Sequence, residues 1–261
     1  MNSYLYKGFK YVSVLQSIIY QRKMQCQLIR NAYSSCHLNR SFLSIGTAYG
    51  DELDFFAREG VLDCWSQVVG IDIVADVCSE VLSQPNLLRL RDRLTFSHHN
   101  LQRLPPPFGE CYWDCIQCGF VLEDIEYCDK QAAYDRLFLS LRNGGNLIIS
   151  EMLIHNQKCS DETDEIRQLN ISKLYDFFLT EADECLARGE LNDEQYHLLR
   201  GNGSGPGLLL TKRMAVDGNR DYFETREQTE NHLYNAGFSS INYYPNAVIP
   251  LLGVLVAQKG K

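Results

Sequence analysis

The stretch Ser41-Phe-Leu-Ser-Ile-Gly-Thr-Ala-Tyr-Gly-Asp-Glu52 constrains the fold more than any other part of this 261-residue chain. Phe42, Leu43, Ser44 and Ile45 predict a short buried strand, and Gly46 and Gly50 punctuate a turn. Asp51 and Glu52 then open a helical run that reaches Arg58. A buried parallel strand that feeds a helix through glycines sets a ligand against the helix N-terminus. Glycines at 46 and 50 let backbone amides approach that ligand where a Cβ would intrude. The next apolar run, 67–72, predicts a second strand that ends in Asp72. An acid at that tip is placed to accept hydrogen bonds from ribose hydroxyls.

The rest of the chain continues the alternation. Helical spacing at 75–91 is interrupted by Pro85; strands follow at 94–100, 113–118 and 146–153, with a helix at 128–142 stopped by Asn143-Gly144-Gly145. Between the third and fourth strands, Leu104-Pro-Pro-Pro-Phe108 forms a stiff extended link. The alternation breaks at 155–220, where helical pieces at 165–179 and 192–200 replace a strand, the second with Asn192 as its expected N-cap. A glycine-rich loop at 201–207, a helix at 225–236 and two strands at 241–246 and 247–258 complete the chain.

The expected fold is α/β: a doubly wound, mostly parallel seven-stranded Rossmann-like sheet with an antiparallel edge strand and a helical cap. Four segments are expected. They are an N-terminal helical lid at 1–40, a nucleoside-binding core at 41–154, the cap at 155–220, and a closing helix and strands at 221–261. In the first segment Val12, Leu15, Ile18 and Ile19 recur at helical spacing. That helix either packs on the sheet or serves as a lid or dimer contact.

The first turn lacks G-x-G-x-x-G, since its glycines are spaced Gly46-x-x-x-Gly50, and no Lys-Ser or Lys-Thr pair makes it a P-loop. A ligand with ribose and no phosphate fits better, and S-adenosylmethionine is the common one. The segment from Leu43 to Gly50 resembles the first motif of the class I S-adenosylmethionine-dependent methyltransferases, and Gly70-Ile71-Asp72 resembles the second. Thr47 and Ala48 stand where that family commonly has glycines. The resemblance places the cofactor against Gly46, Thr47, Ala48, Tyr49, Gly50, Asp72 and Ile73. It adds His99, Asn100 and Leu101 after strand three, and Cys118 and Gly119 after strand four. Asn100 stands where such enzymes often have an acid or amide near the adenine amino group. His98 and His99, adjacent on a strand, point to opposite faces and cannot share one ligand.

The second half is similar to the acetylserotonin-type small-molecule O-methyltransferases, through Phe120 to Asp124, Arg142 to Glu151 and Tyr234-Asn-Ala-Gly-Phe238. Those enzymes carry a His-Asp pair after strand four, with the histidine as general base toward a hydroxyl. Here the pair is Glu123-Asp124, which makes Glu123 the catalytic candidate, as a base or as an anchor for a cationic acceptor. The family also has a long N-terminal dimerisation domain, for which only some forty residues stand here. Leu43-Ser-Ile-Gly46 also resembles histamine N-methyltransferase, which keeps an amine acceptor open. The resemblance implies methyl transfer to a small-molecule acceptor, foremost at a hydroxyl oxygen, with S-adenosylhomocysteine as product. The alternatives are N-methylation, or a non-catalytic S-adenosylmethionine-binding protein that works through a partner.

Composition narrows the partners. A net charge of -8 disfavours nucleic acid. No apolar run reaches the roughly 18 residues of a membrane span, so no membrane partner is expected. Ten cysteines without a secretory signal predict reduced thiols and a cytoplasmic protein, monomer or homodimer. Cys111, Cys115 and Cys118 have the spacing of an iron-sulfur loop. Cys115 and Cys118 nevertheless fall on opposite faces of an apolar strand, so no metal is expected.

Overall fold

The computed structural model describes residues 13–34, 40–47, 50–74, 81, 84–104, 110–153, 164–189, 191–201, 212, 222–247 and 252–260. Helix α1 (Ser13–Ser34) precedes β1 (Ser41–Ile45), α2 (Asp51–Arg58), β2 (Gln67–Asp72), β3 (Leu94–His98) and β4 (Trp113–Gly119). Then come α3 (Tyr127–Ser140), β5 (Leu141–Met152), α4 (Asp164–Ala187), α5 (Asp193–Arg200), α6 (Arg226–Ala236), β6 (Phe238–Pro245) and β7 (Leu252–Lys259). The strands form one sheet in the order β3-β2-β1-β4-β5-β7-β6. The first five are parallel, and β7 runs antiparallel between β5 and the edge strand β6. The seven-stranded Rossmann-like architecture expected from the sequence is the one observed. Among the described residues no helix is long and apolar enough to cross a membrane.

Helices cover both faces, so the central strands are buried on both sides: all five residues of β1 and all seven of β4. On one face Phe42, Val68, Cys115, Ile148 and Val254 pack against Cys26, Leu28, Ile29 and Ala32 of α1 and Leu53, Phe55 and Phe56 of α2. Trp65 fills the middle of that layer, with its ring centroid 5.4 Å from Phe42 and 5.6 Å from Tyr33. On the other face Leu43, Ile45, Ile116, Cys118 and Ile149 meet Ala133, Tyr134 and Leu137 of α3 and Leu233 of α6. Helix α1 is therefore a packed layer of the core. Cys115 and Cys118 lie on opposite faces, which separates the last two members of the candidate cluster spacing.

Two local readings change. Instead of a helix over 75–91, residues 84–93 form turns with one 3-10 turn at Leu88–Leu90; Pro85 removes a backbone donor there, and most of 75–83 lies outside the described residues. The helix before β5 stops at Ser140, and β5 already begins at Leu141 and runs through Asn143-Gly144-Gly145. Gly144 adopts φ +77°, and its N–H donates to Gly260 O at 3.1 Å. A Cβ on Gly145 would stand 2.9 Å from Arg142 O and 3.1 Å from Trp113 O. The glycines thus permit an irregular strand start and a register shift between Trp113 and Cys115, where their composition suggested a helix stop.

Helix α6 shows how firmly one local signal is built. Thr225 caps it by accepting from Gln228 N, and Gln228 Oε1 accepts from Thr225 N, which closes a reciprocal box. Thr225→Ala should destabilise the protein by about 0.5–2 kcal/mol, measurable as a lower urea midpoint with an unchanged slope.

Candidate functional site

The parallel strands β1 to β4 end side by side, and their carboxyl ends gather the predicted residues. Gly46 (φ +71°) and Gly50 (φ +79°) both adopt left-handed conformations that favour glycine. Gly46 N and Thr47 N both donate to Ile71 O, at 2.9 and 3.3 Å, which ties the turn to β2. A Cβ on Gly46 would stand 1.9 Å from Val121 Cγ2, so the turn and the loop after β4 press together with no room for a side chain. Thr47 is buried, and its hydroxyl oxygen has no hydrogen-bond partner. Ala48 and Tyr49 lie outside the described residues.

Asp72 is half-buried at the tip of β2; its carboxylate accepts from Val74 N at 2.9 Å, and its carbonyl accepts from His99 N at 3.0 Å. Ile73 beside it is 62% exposed, an apolar surface at the ligand edge. His99 and Asn100 are half-buried just beyond β3, whereas His98 turns aside to Ile73 O at 2.7 Å. Leu101 packs inward with Val69 and Ile71. Cys118 is fully buried among apolar side chains, so at this edge it offers backbone only. Gly119 follows it at the strand end. The next residue, Phe120, holds φ +53°, a strained conformation for a non-glycine residue, with its N–H on Ser150 O at 2.9 Å.

Glu123 sits on the 3-10 turn Leu122–Asp124, nearly buried at 9% exposure. Its carboxyl is hydrogen-bonded to Glu151, and its Oε2 is buried without a partner. Burial raises its pKa well above the ordinary carboxylate range, and the neighbouring Glu151 and Asp124 push it further. Glu151, at the end of β5, also accepts from Val121 N at 3.2 Å and Leu122 N at 2.9 Å, and so fixes the turn that carries Glu123. Leu122, Glu123, Lys130, Glu151, Glu224 and Thr229 share a small pocket.

Behind the pair lies a second buried network. Lys130 Nζ donates to Leu122 O at 2.7 Å and stands 3.8 Å from Glu224 Oε2. Glu224 receives Tyr134 OH at 2.8 Å and faces His232 Nε2 at 3.0 Å. Burial alone would push the Glu224 carboxyl up, but the His232 hydrogen bond and the Lys130 charge outweigh it and hold it below its usual value.

The expectations did not include a polar layer beneath the strand ends. Ser44, Gln117 and Ser150 follow Phe42, Cys115 and Ile148 on the α1-facing side of the sheet, so the face turns from apolar to polar toward the ligand edge. Ser44 Oγ donates to Gln117 Oε1 at 2.8 Å, and Gln117 Nε2 donates to Glu52 Oε2 at 2.6 Å. From α1, Gln25 Nε2 donates to Glu52 Oε1 at 2.9 Å, while Gln21, one turn earlier, bonds Ser150 Oγ and Gly253 O. Polar residues alternating with apolar ones read as a solvent face in sequence, and only the docking of α1 reveals them as buried.

Folding stability should carry the signature of Glu123. A carboxyl whose folded pKa exceeds its unfolded value stabilises the protein while protonated, and that contribution is lost as pH rises through the folded pKa. Denaturation midpoints should therefore fall as pH rises above the ordinary carboxylate range. Glu123→Gln, which keeps a neutral polar group, should flatten that fall; an unaltered pH dependence would contradict the raised pKa.

No family model and no curated protein matches the chain. Solved structures do resemble it. The CurJ carbon methyltransferase aligns with a TM-score of 0.58 and 16% identity over 92% of this chain and 54% of that one. An O-methyltransferase family protein from Burkholderia thailandensis aligns with a TM-score of 0.55 and 13% identity over 92% of this chain and 56% of that one. PigF, solved with SAH, aligns with a TM-score of 0.50 and 15% identity over 91% and 56%. The chain thus spans about half the length of these three structures. What the likeness establishes is a shared fold with structures of methyltransferases.

Proposed function

We propose that the chain is an S-adenosylmethionine-dependent methyltransferase that methylates a small molecule, foremost at a hydroxyl oxygen. The observation that carries this reading is the convergence of the 46–50 turn, Asp72, Asn100 and Gly119 at adjacent strand ends, with Glu123 on the next loop. The residues present fit an adenosyl ligand. Thr47 offers a buried, unpartnered hydroxyl at the turn, Asp72 a half-buried acid at the second strand tip, and Ile73 an exposed apolar face beside it. The SAH in the PigF structure accords with that ligand.

When bound, the cofactor supplies an electrophilic sulfonium methyl. The work left to the protein is to orient the acceptor, exclude water and accept a proton. Glu123 suits the last task better than an ordinary carboxyl, because a raised pKa brings a general base nearer to neutral operating pH. Its unpartnered Oε2 equally suits an anchor for an ammonium, the arrangement that favours N-methylation. We place the acceptor under the helical segment 155–220, in which α4 and α5 are described. Tyr222, just beyond that segment, donates its N–H to Glu123 O at 2.6 Å and so ties the start of the closing segment to the turn. The cytoplasm is the proposed compartment, in keeping with the buried free thiols of Cys26, Cys115, Cys118 and Cys185.

Asp72→Ala should weaken S-adenosylhomocysteine binding by about 1.5–3 kcal/mol for each charge-assisted hydrogen bond lost; calorimetry showing unchanged affinity would remove the assignment. Glu123→Gln should lower kcat by roughly 10²–10⁴-fold with little change in acceptor KM if the residue is a base. It should raise KM with kcat largely kept if the residue is an anchor. For the base, wild-type kcat/KM should rise with pH through an apparent pKa above the ordinary carboxylate range. That limb should vanish in the variant.

A further inference from the structure

Three acids open α2, and they face different ways. Asp51 is exposed and accepts from Gln84 Nε2 at 3.4 Å. Asp54 accepts from Asn86 N at 2.9 Å and Nδ2 at 2.8 Å. Both serve the 84–86 loop. Glu52 alone turns to the sheet, and its carboxylate lies over the end of β4: a Cβ on Gly119 would stand 2.6 Å from Glu52 Oε2 and 3.1 Å from Oε1. It is half-buried, beside the 46–50 turn and on the carboxyl edge of the sheet.

We propose that Glu52 is the recognition residue for the ammonium group of the cofactor's amino-acid tail, with Gln25 and Gln117 as positioning residues that aim its carboxylate across Gly119. This rests on the adenosyl-ligand reading above and adds the residue that would hold the other end of that ligand. The two glutamine amides are neutral, and each gives one hydrogen bond to a different carboxylate oxygen. A carboxylate has about four acceptor sites, so two directions stay available for further donors. Burial raises the Glu52 carboxyl above its ordinary value, against the Arg22 charge and the two amide hydrogen bonds. A cation brought to the exposed side would relieve that desolvation cost, whereas an anion would worsen it. Gln25 is itself buried at 1% exposure and belongs to α1, so the N-terminal helix contributes directly to this subsite.

A simpler role, in which Glu52 merely staples α1 to the sheet, predicts a different result. Calorimetric affinities of the full chain are to be measured for S-adenosylhomocysteine and for 5′-methylthioadenosine, which shares adenosine but lacks the amino-acid tail. Glu52→Gln should weaken S-adenosylhomocysteine on the order of ten- to a hundredfold and leave 5′-methylthioadenosine within about twofold. Loss of a negative charge cannot weaken binding through the tail's carboxylate, so such a split reports on the ammonium. Glu52→Asp, which keeps the charge but withdraws it by one methylene, should give a smaller loss confined to the same ligand. Equal weakening of both ligands would assign Glu52 to stapling and overturn the proposal, as would unchanged affinity for both. If Glu52→Gln does not fold, the Glu52→Asp split decides between the same two outcomes. Failure of the wild type to bind either ligand would instead overturn the adenosyl-ligand reading, and this proposal with it. Wild-type affinity for 5′-methylthioadenosine, lost in Asp72→Ala, keeps the two failures apart.

Discussion

The close approach of Gly46 to Val121 is the contact on which the functional edge depends. It brings the turn after β1 against the loop after β4, with 1.9 Å between a hypothetical Cβ and the valine methyl. Any side chain at 46 would have to part these loops, and the left-handed φ of +71° adds conformational cost. Once they touch, the amides of 46 and 47 are tied to β2 through Ile71 O, and Val121 and Leu122 are tied to β5 through Glu151. Four strand ends thereby become one surface.

Two buried polar systems support that surface from opposite faces of the sheet. On the α1 side, Gln21, Gln25, Gln117, Ser44 and Ser150 form a layer of mostly neutral hydrogen bonds around one acid. On the α3 side, Lys130, Glu224, Tyr134 and His232 form a charged network. A buried ion pair adds little net stability compared with apolar packing, but removing one partner leaves an uncompensated charge. Here the network joins the turn after β4 to the chain entering α6. The common effect of the two systems is to hold Glu52 on one face and Glu123 on the other, both beside the end of β4.

The fold was legible because its main signals are local. The strand, the glycine turn and the acid at Asp72 stand within some thirty residues and need no tertiary information. The position of Glu123 just after the fourth strand was legible, though its pairing with Glu151, 28 positions on (151 − 123), was not. Glu52 and the glutamines escaped because a polar residue in an amphipathic pattern is read as solvated, and burial by a helix that ends 79 positions before β4 (113 − 34) leaves no mark in the local pattern. The Asn143-Gly144-Gly145 run misled for a related reason. Glycines end helices, but they also admit close backbone packing inside a strand, and the 2.9 Å approach at Gly145 belongs to the second case.

The placement of β7 bears on how the molecule is made. Strand β5 pairs with β7 from Asn146↔Gln258 to Met152↔Leu252, across 100 intervening steps of chain (252 − 152). During synthesis β5 therefore emerges with one hydrogen-bonding edge bare, and the ribosome adds the whole α4, α5 and α6 region before its partner exists. Long-range pairing of this kind slows folding, and an apolar strand such as Leu147, Ile148 and Ile149 invites foreign strands while it waits. In the interval between those two strands the nascent chain carries an unpaired apolar edge, the kind of surface that chaperones shield.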